Sequence, residues 1–159
     1  MADSDSLVDL VRQLEGALAI VASRTKKEKL GVTLQKADLR LKVATKKSTI
    51  IGGKIEWGVS VDVSAGGEWS RAHTLVLSLI PKVKIEMGKP ESEELADTIF
   101  EIASAISTLQ KTVSGHFNAS EASISIDVEQ SKNGKVQVVA GGGAQRINSH
   151  TVELSFRPT

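Results

Sequence analysis

The 159-residue chain has no cysteine, which excludes disulfides, thiolate nucleophiles and cysteine-ligated metals. It has no tyrosine either, and its aromatics are three Phe and two Trp. So few rings argue against stacking of single-stranded nucleic acid on a sheet face, which wants exposed aromatics among basic residues. Charge of neither sign prevails: 20 Lys and Arg face 19 Asp and Glu, for a net charge of +1 and a pI near 8.0. That balance gives no electrostatic case for nucleic acid or for an anionic membrane. No run approaches the roughly 18 consecutive apolar residues of a membrane span. The N-terminal "MADSDSLVDLVRQ" is acidic and polar where a secretory leader is basic and then apolar. A soluble cytoplasmic protein is the expectation.

What is present is a globular composition, 40% apolar and 25% charged, and an internal repeat. "AHTLVLSLIPK" from Ala72 returns as "SHTVELSFRPT" from Ser149, placing His73 and His150 in register 77 residues apart. Leu77, Ser78 and Pro81 match Leu154, Ser155 and Pro158. Gly66-Gly67 and Gly142-Gly143 precede the two copies. "ADLRLKV" from Ala37 matches "ASISIDV" from Ala122, and "KIEWGVSVDV" from Lys54 has a shorter counterpart in "KVQVVA" from Lys135. The offset falls from 88 at the apolar helical stretches to 85 at the first strand and 77 at the last. Those steps put the length differences in loops, where insertions are tolerated.

The elements follow from periodicity. Leu7, Leu10, Val11, Leu14, Leu18 and Val21 recur at spacings of three and four, as do Leu95, Ile99, Ile102, Ile106, Leu109 and Val113, predicting two amphipathic helices. Ser6 and Ser92 are placed to cap them. Lys26, Lys27 and Lys29 suit the carbonyl end of the first helix dipole. Leu39, Leu41 and Val43 alternate with Asp38, Arg40 and Lys42, and Ile124, Ile126 and Val128 with Ser125, Asp127 and Glu129, the pattern of half-buried strands. Ile55, Trp57, Val59, Val61 and Val63 define the inner face of the next strand in the first copy. Asn133-Gly134 signals a two-residue hairpin. Each copy therefore reads as one helix and three antiparallel strands.

A single αβββ unit of about 70 residues buries too little apolar surface to be comfortable alone. The expectation is an α+β pseudo-dimer of two tandem units, residues 6–82 and 92–159 joined by linker 83–91, sharing one core. One shared antiparallel sheet with both helices on one side is the preferred arrangement.

The last strands differ in one respect. In the second copy His150, Val152, Leu154 and Phe156 share a face opposite Thr151, Glu153, Ser155 and Arg157. In the first, His73, Leu75, Leu77 and Leu79 oppose Thr74, Val76, Ser78 and Ile80, so Val76 and Ile80 stand where Glu153 and Arg157 would. A strand apolar on both faces needs cover on both. Either the linker folds back with Val83, Ile85 and Met87, or Val76 and Ile80 form a contact surface for a partner or a second chain. Trp69 beside Arg71 is either an interface residue of hot-spot type or packed on the sheet rim.

No reaction is written in the motifs. His73 and His150 read as structural histidines anchoring the repeated strand, ahead of metal binding or catalysis, because no His-x-x-x-His or acid cluster accompanies them or His116. No Gly-x-Ser-x-Gly and no placed Ser/His/Asp set occurs. "IIGGK" and "AGGGAQR" lack both a following helix and the P-loop spacing, and fit turns or bulges. The expectation is no metal, no cofactor and no enzyme.

Beside these residues a resemblance emerges. "LVDLVRQLEGAL", "KADLRLKV", "KIEWGVSV", "SAGGEWSR" and "AHTLVLSLIP" resemble, piece by piece, the second type of the trypsin-co-occurring domain family: an amphipathic helix, a V-x-L-x-L-x-V segment, a strand bearing an aromatic, a Gly-rich turn and a closing T-H-x-V-x-L-x-L-x-P strand. The closing strand departs from the pattern, since Thr74 follows His73 instead of preceding it. The resemblance covers residues 6–82 and, through the repeat, more weakly 92–159. It implies a non-catalytic interaction module of the kind encoded beside, or fused to, trypsin-like peptidases and other effectors of bacterial conflict systems, with no catalytic residue to carry over. The expected function is an adaptor binding such a protein partner through Trp69, Arg71, Val76 and Ile80. The alternatives are a homo-oligomeric structural protein and a small hydrolase using His73 or His150.

Overall fold

The computed structural model describes residues 4–46, 57–59, 69–82, 93–113, 115–131, 134–139 and 149–159. Two helices, α1 (Ser4–Lys27) and α2 (Glu93–Val113), accompany six strands: β1 (Val32–Lys46), β2 (Trp57–Val59), β3 (Trp69–Leu79), β4 (Ala122–Gln130), β5 (Val136–Val138) and β6 (Ser149–Pro158). The strands form one sheet in the order β2-β1-β6-β4-β5, with β3 paired to β1 off this path. β1 and β2 pair antiparallel with Val43 opposite Val59, and β4 and β5 with Val128 opposite Val138. Two helices on an antiparallel sheet make the protein α+β, as the alternation of apolar residues predicts.

The apolar periodicities are largely realised as burial. α1 buries Leu10, Leu14, Ala17, Leu18, Ile20 and Val21; α2 buries Leu95, Ala96, Ile99, Ala103 and Ile106. Two positions of the predicted α2 stripe depart from it, Leu109 and Val113, which are solvent-exposed near its C-terminal end. α1 also starts earlier than expected, at Ser4, so Ser6 lies inside the helix and not at its cap. α2 starts at Glu93, the residue after the predicted cap Ser92, which lies outside the described residues.

β1 is longer than its alternating segment and changes phase along its length. Val32 and Leu34 are buried, and then Ala37, Leu39, Leu41 and Val43. The buried positions are thus even up to Leu34 and odd from Ala37 to Val43, with Ala44 buried beside Val43.

Among the described residues, two turns use left-handed backbone. At the end of α1, Leu30 N–H donates to Thr25 O (3.1 Å) and Lys29 N–H to Lys26 O (3.4 Å), the paired bonds of a Schellman cap. Lys29 holds the left-handed position at φ 48°, where glycine is usual. Before β5, Ser131 N–H donates to Lys135 O (2.8 Å) and Gly134 N–H to Ser131 O (2.9 Å), with Gly134 at φ 86°. The connection thus closes over three residues, not the two expected from Asn133-Gly134, with Gly134 in the bulge position such a loop needs.

The chain forms two compact units: Met1–Arg12 with Leu39–Leu77 and Ile126–Val152, and Gln13–Asp38 with Ser78–Ser125 and Glu153–Thr159. The first buries Leu10, Leu39, Leu41, Val128, His150 and Val152; the second buries Leu14, Val21, Val32, Ile99, Leu154 and Phe156.

Candidate functional site

β3 carries most of the candidate residues. Thr74, Val76 and Ser78 on β3, and Ile80 just past its end, are exposed to solvent. Val76 is 51% exposed and Ile80 76% exposed. The opposite side of the strand is less covered than the alternation predicts: Leu75, Leu77 and Leu79 are half-buried and His73 is exposed. In β6, by contrast, His150, Val152, Leu154 and Phe156 are all essentially inaccessible. β6 lies between β1 and β4, so both its edges are paired within the chain. On the outward face of β3, Ser78 Oγ donates to Asp38 Oδ1 at 2.5 Å. Trp69 and Arg71 lie on the same strand, with side chains outside the described set. The segment 83–91, with Val83, Ile85 and Met87, also lies outside it, as do the two double glycines.

The two repeat histidines therefore occupy opposite environments. His150 Nδ1 accepts the main-chain N–H of Lys42 at 2.9 Å, taking a β1 donor onto a side chain instead of a strand carbonyl. The sequence predicts a bond to turn backbone; the partner is the neighbouring strand. An acceptor at Nδ1 places the ring proton on Nε2, and this donor finds no partner among the described residues. Burial, aided by the positive charge of Lys42, pushes the His150 pKa down to about 4, since desolvation penalises the cation. Thr151, beside it, donates to Asp127 Oδ1 at 3.2 Å.

Two clefts lie at the ends of these last strands, both within the second compact unit. One, of about 560 Å³, is bordered by α1 (Leu18, Ala19, Ala22), by β1 (Leu34, Ala37) and by the stretch Ser78–Lys82. The other, of about 280 Å³, lies beside α2 and is lined by Ser107, Gln110, Phe117 and Pro158 together with Gly31. Sequence reasoning singled out neither. The signal in the first was the run of alanines at positions 19, 22 and 37, small side chains that leave space. Among the described residues no group of three His, Asp or Glu is gathered as metal ligands would be, and no helix is long and apolar enough to cross a membrane.

Fold and site together define an α+β protein of two helices and one sheet, whose candidate site is an exposed apolar strand face next to a small-residue groove. Residues 6–81 match the model of the family described as trypsin-co-occurring domain 2, which supports the resemblance over that stretch, from early in α1 to just past β3. No curated protein and no solved structure matches the chain.

Proposed function

We propose that the protein is a non-catalytic interaction module that presents the outer face of β3 to a protein partner. In this reading the chain is a tandem pair of αβββ units, 6–82 and 92–159 joined by 83–91, acting in the cytoplasm. The partner class is the one the family resemblance implies, a trypsin-like peptidase or another effector of a bacterial conflict system. The observation that carries the reading is the exposure of Val76 on β3 and of Ile80 just past its end. Their repeat counterparts are Glu153 and Arg157, so the same position carries charge in one copy and exposed apolar surface in the other. An apolar face left in water is unfavourable unless something covers it.

Capture from the host lysate tests this, with the wild-type chain run beside a Val76→Glu variant. The expected result is one peptidase or other effector recovered with the wild type, identified by mass spectrometry, and reduced at least tenfold with the variant, a loss of about 1.4 kcal/mol. Recovery of the same proteins by both chains would overturn the assignment of the surface. A hydrolase using His73 would instead predict an activity that His73→Ala abolishes while the fold survives.

A further inference from the structure

One cross-strand contact occurs twice in the sheet. Ser78 of β3 meets Asp38 of β1, and Ser155 of β6 meets Ser123 of β4 at 3.4 Å. The offsets of 77 and 85 residues carry the first pair onto the second, so β3 sits on β1 as β6 sits on β4. The chain then adds a junction between the copies. β6 runs antiparallel along β1, with Thr159 N–H on Gly31 O at 3.0 Å near one end and Lys42 N–H on His150 Nδ1 at 2.9 Å near the other. Asp38 lies between those two contacts, so β3 reaches it from the opposite edge of β1.

The repeat-equivalent junction would lay β3 along β4. Among the described residues β3 pairs with β1 alone, and β4 with β6 and β5. β5 has 3 residues and its bonds reach along β4 as far as Asp127, whose O accepts Val139 N–H at 2.8 Å. Beyond that point Ser125 and Ser123 are exposed. The bond to Val139 turns the main chain of Asp127 towards β5. Thr151 faces Asp127 across the β4–β6 pair, its hydroxyl 3.2 Å from Oδ1, so the two form a non-hydrogen-bonded pair. Thr151 and every second residue after it therefore turn their main chain to β1, as the bond from Thr159 to Gly31 requires. Their counterparts Thr74, Val76 and Ser78 turn theirs to the side of β3 away from β1.

Long strand edges are usually guarded by charge, proline or a bulge. β3 has 11 residues, and neither "AHTLVLSLI" from Ala72 nor "ASISI" from Ala122 contains Lys, Arg, Asp, Glu or Pro. The unequal lengths of β1 and β4 fit the same account. β1 starts at Val32, ahead of Ala37, whereas β4 starts at Ala122, the counterpart of Ala37. Residues 32–36 lie beside the end of β6, and their counterparts 117–121 are not in a strand.

We propose that a second copy of the chain supplies the missing junction, β3 of one copy adding to the open edge of β4 of another in the register in which β6 lies on β1. The occupant is a second copy because the chain already contains one such junction and presents both halves of the other. Strand addition draws its affinity from main-chain hydrogen bonds. The same correspondence brings His73 of one copy to the Asp127 main chain of the next, as His150 meets Lys42. Two different edges meet, so the contact closes into a ring or continues head to tail. The inference rests on the tandem-repeat reading and uses the edge of β3, not the face assigned to the protein partner.

Sedimentation velocity at about 100 µM chain, well above a micromolar dissociation constant, tests the proposal together with amide hydrogen exchange. Wild type is expected to sediment as a dimer or larger species, with the Val76 and Ser78 amides protected. Ser78→Pro removes an outward N–H from β3 and Ser125→Pro one from β4, at edge positions that tolerate proline. Each variant is expected to be monomeric, and Ser125→Pro to lose the protection at Val76 and Ser78. An equimolar mixture of the two is expected to form a 1:1 dimer, because each retains the edge the other has lost. A monomeric wild type, an assembly that neither variant disturbs, or a mixture that stays monomeric would each overturn the proposal. If circular dichroism shows a proline variant unfolded, lysine at the same position, a usual guard of strand edges, carries the same test. Val76→Glu is expected to leave the assembly intact, since Glu153 holds that position in the internal junction. Failure of the partner-surface reading and failure of this one are therefore read separately.

Discussion

His150 Nδ1 accepts the main-chain N–H of Lys42 at 2.9 Å from a fully buried position. A protonated imidazole carries hydrogen on both nitrogens and cannot accept that bond, so folding selects the neutral ring. With the folded-state pKa lowered to about 4 from 6.5, the unfolded chain binds the extra proton first. Stability is therefore full above about pH 6.5 and falls as the pH drops, by up to about 3 kcal/mol once both states are protonated near pH 4. Urea titrations between pH 7 and 4 measure the slope. His150→Asn keeps an acceptor near the Nδ1 position and does not titrate, so it is expected to flatten this part of the pH dependence.

Lys29→Gly is expected to stabilise the protein by about 0.5–1 kcal/mol, because Lys29 holds a left-handed backbone that glycine adopts without a Cβ penalty. The converse holds at Gly31, with φ 88°. There a new Cβ would meet Ser107 Oγ at an ordinary 3.7 Å, so Gly31→Ala acts through backbone strain, at about 1–2 kcal/mol. Thermal unfolding of the two variants, with midpoints moving in opposite directions, checks both.

Arg24 joins the end of α1 to the start of α2. Its guanidinium lies 4.0 Å from the Phe100 ring centroid, Nη1 is 2.6 Å from Asp97 Oδ1, and Nε is 3.3 Å from Glu28 Oε2. The carboxylates are solvent-exposed and add little, so the stacking over Phe100 is the larger part. Arg24→Lys is expected to lose about 1 kcal/mol, since an ammonium lacks the planar fork. A double-mutant cycle with Phe100→Leu measures the coupling; no coupling would remove the stacking from the account.

The two copies of the last strand are expected to respond unequally to truncation. Phe156→Ala removes a fully buried ring and should cost about 3–5 kcal/mol. Leu79→Ala, at the corresponding half-buried position, should cost less than half of that. Val76→Glu, on the exposed face, should stay within about 0.5 kcal/mol of wild type. Chemical denaturation of the three variants ranks them, and equal losses at Phe156 and Leu79 would contradict the difference in burial.

Much of the fold is legible in the residues. Leu10, Leu14, Leu18 and Val21 sit where their three- and four-residue spacing puts them, and Leu39, Leu41 and Val43 where alternation does. These patterns are local, and one element's covered face is written in its own periodicity. The change of phase in β1 between Leu34 and Ala37 was not legible, because a break in alternation resembles the end of a strand. The start of α1 at Ser4 was missed for a related reason: a serine two residues on offers an equally good capping oxygen.

By itself the sequence determined the class of fold, the helix and strand faces and the repeated strand, because hydrophobic period and turn chemistry act over a few residues. Tertiary structure alone decided which repeated residues are covered. His73 and His150 stand in nearly identical local sequence, yet one is exposed and the other buried, since β6 is enclosed by β1 and β4 within the chain. Leu109 and Val113 continue the apolar period of Leu95, Ile99 and Ile106 and still face solvent. An amphipathic pattern states which side of an element is apolar; what lies opposite that side is a property of the whole chain.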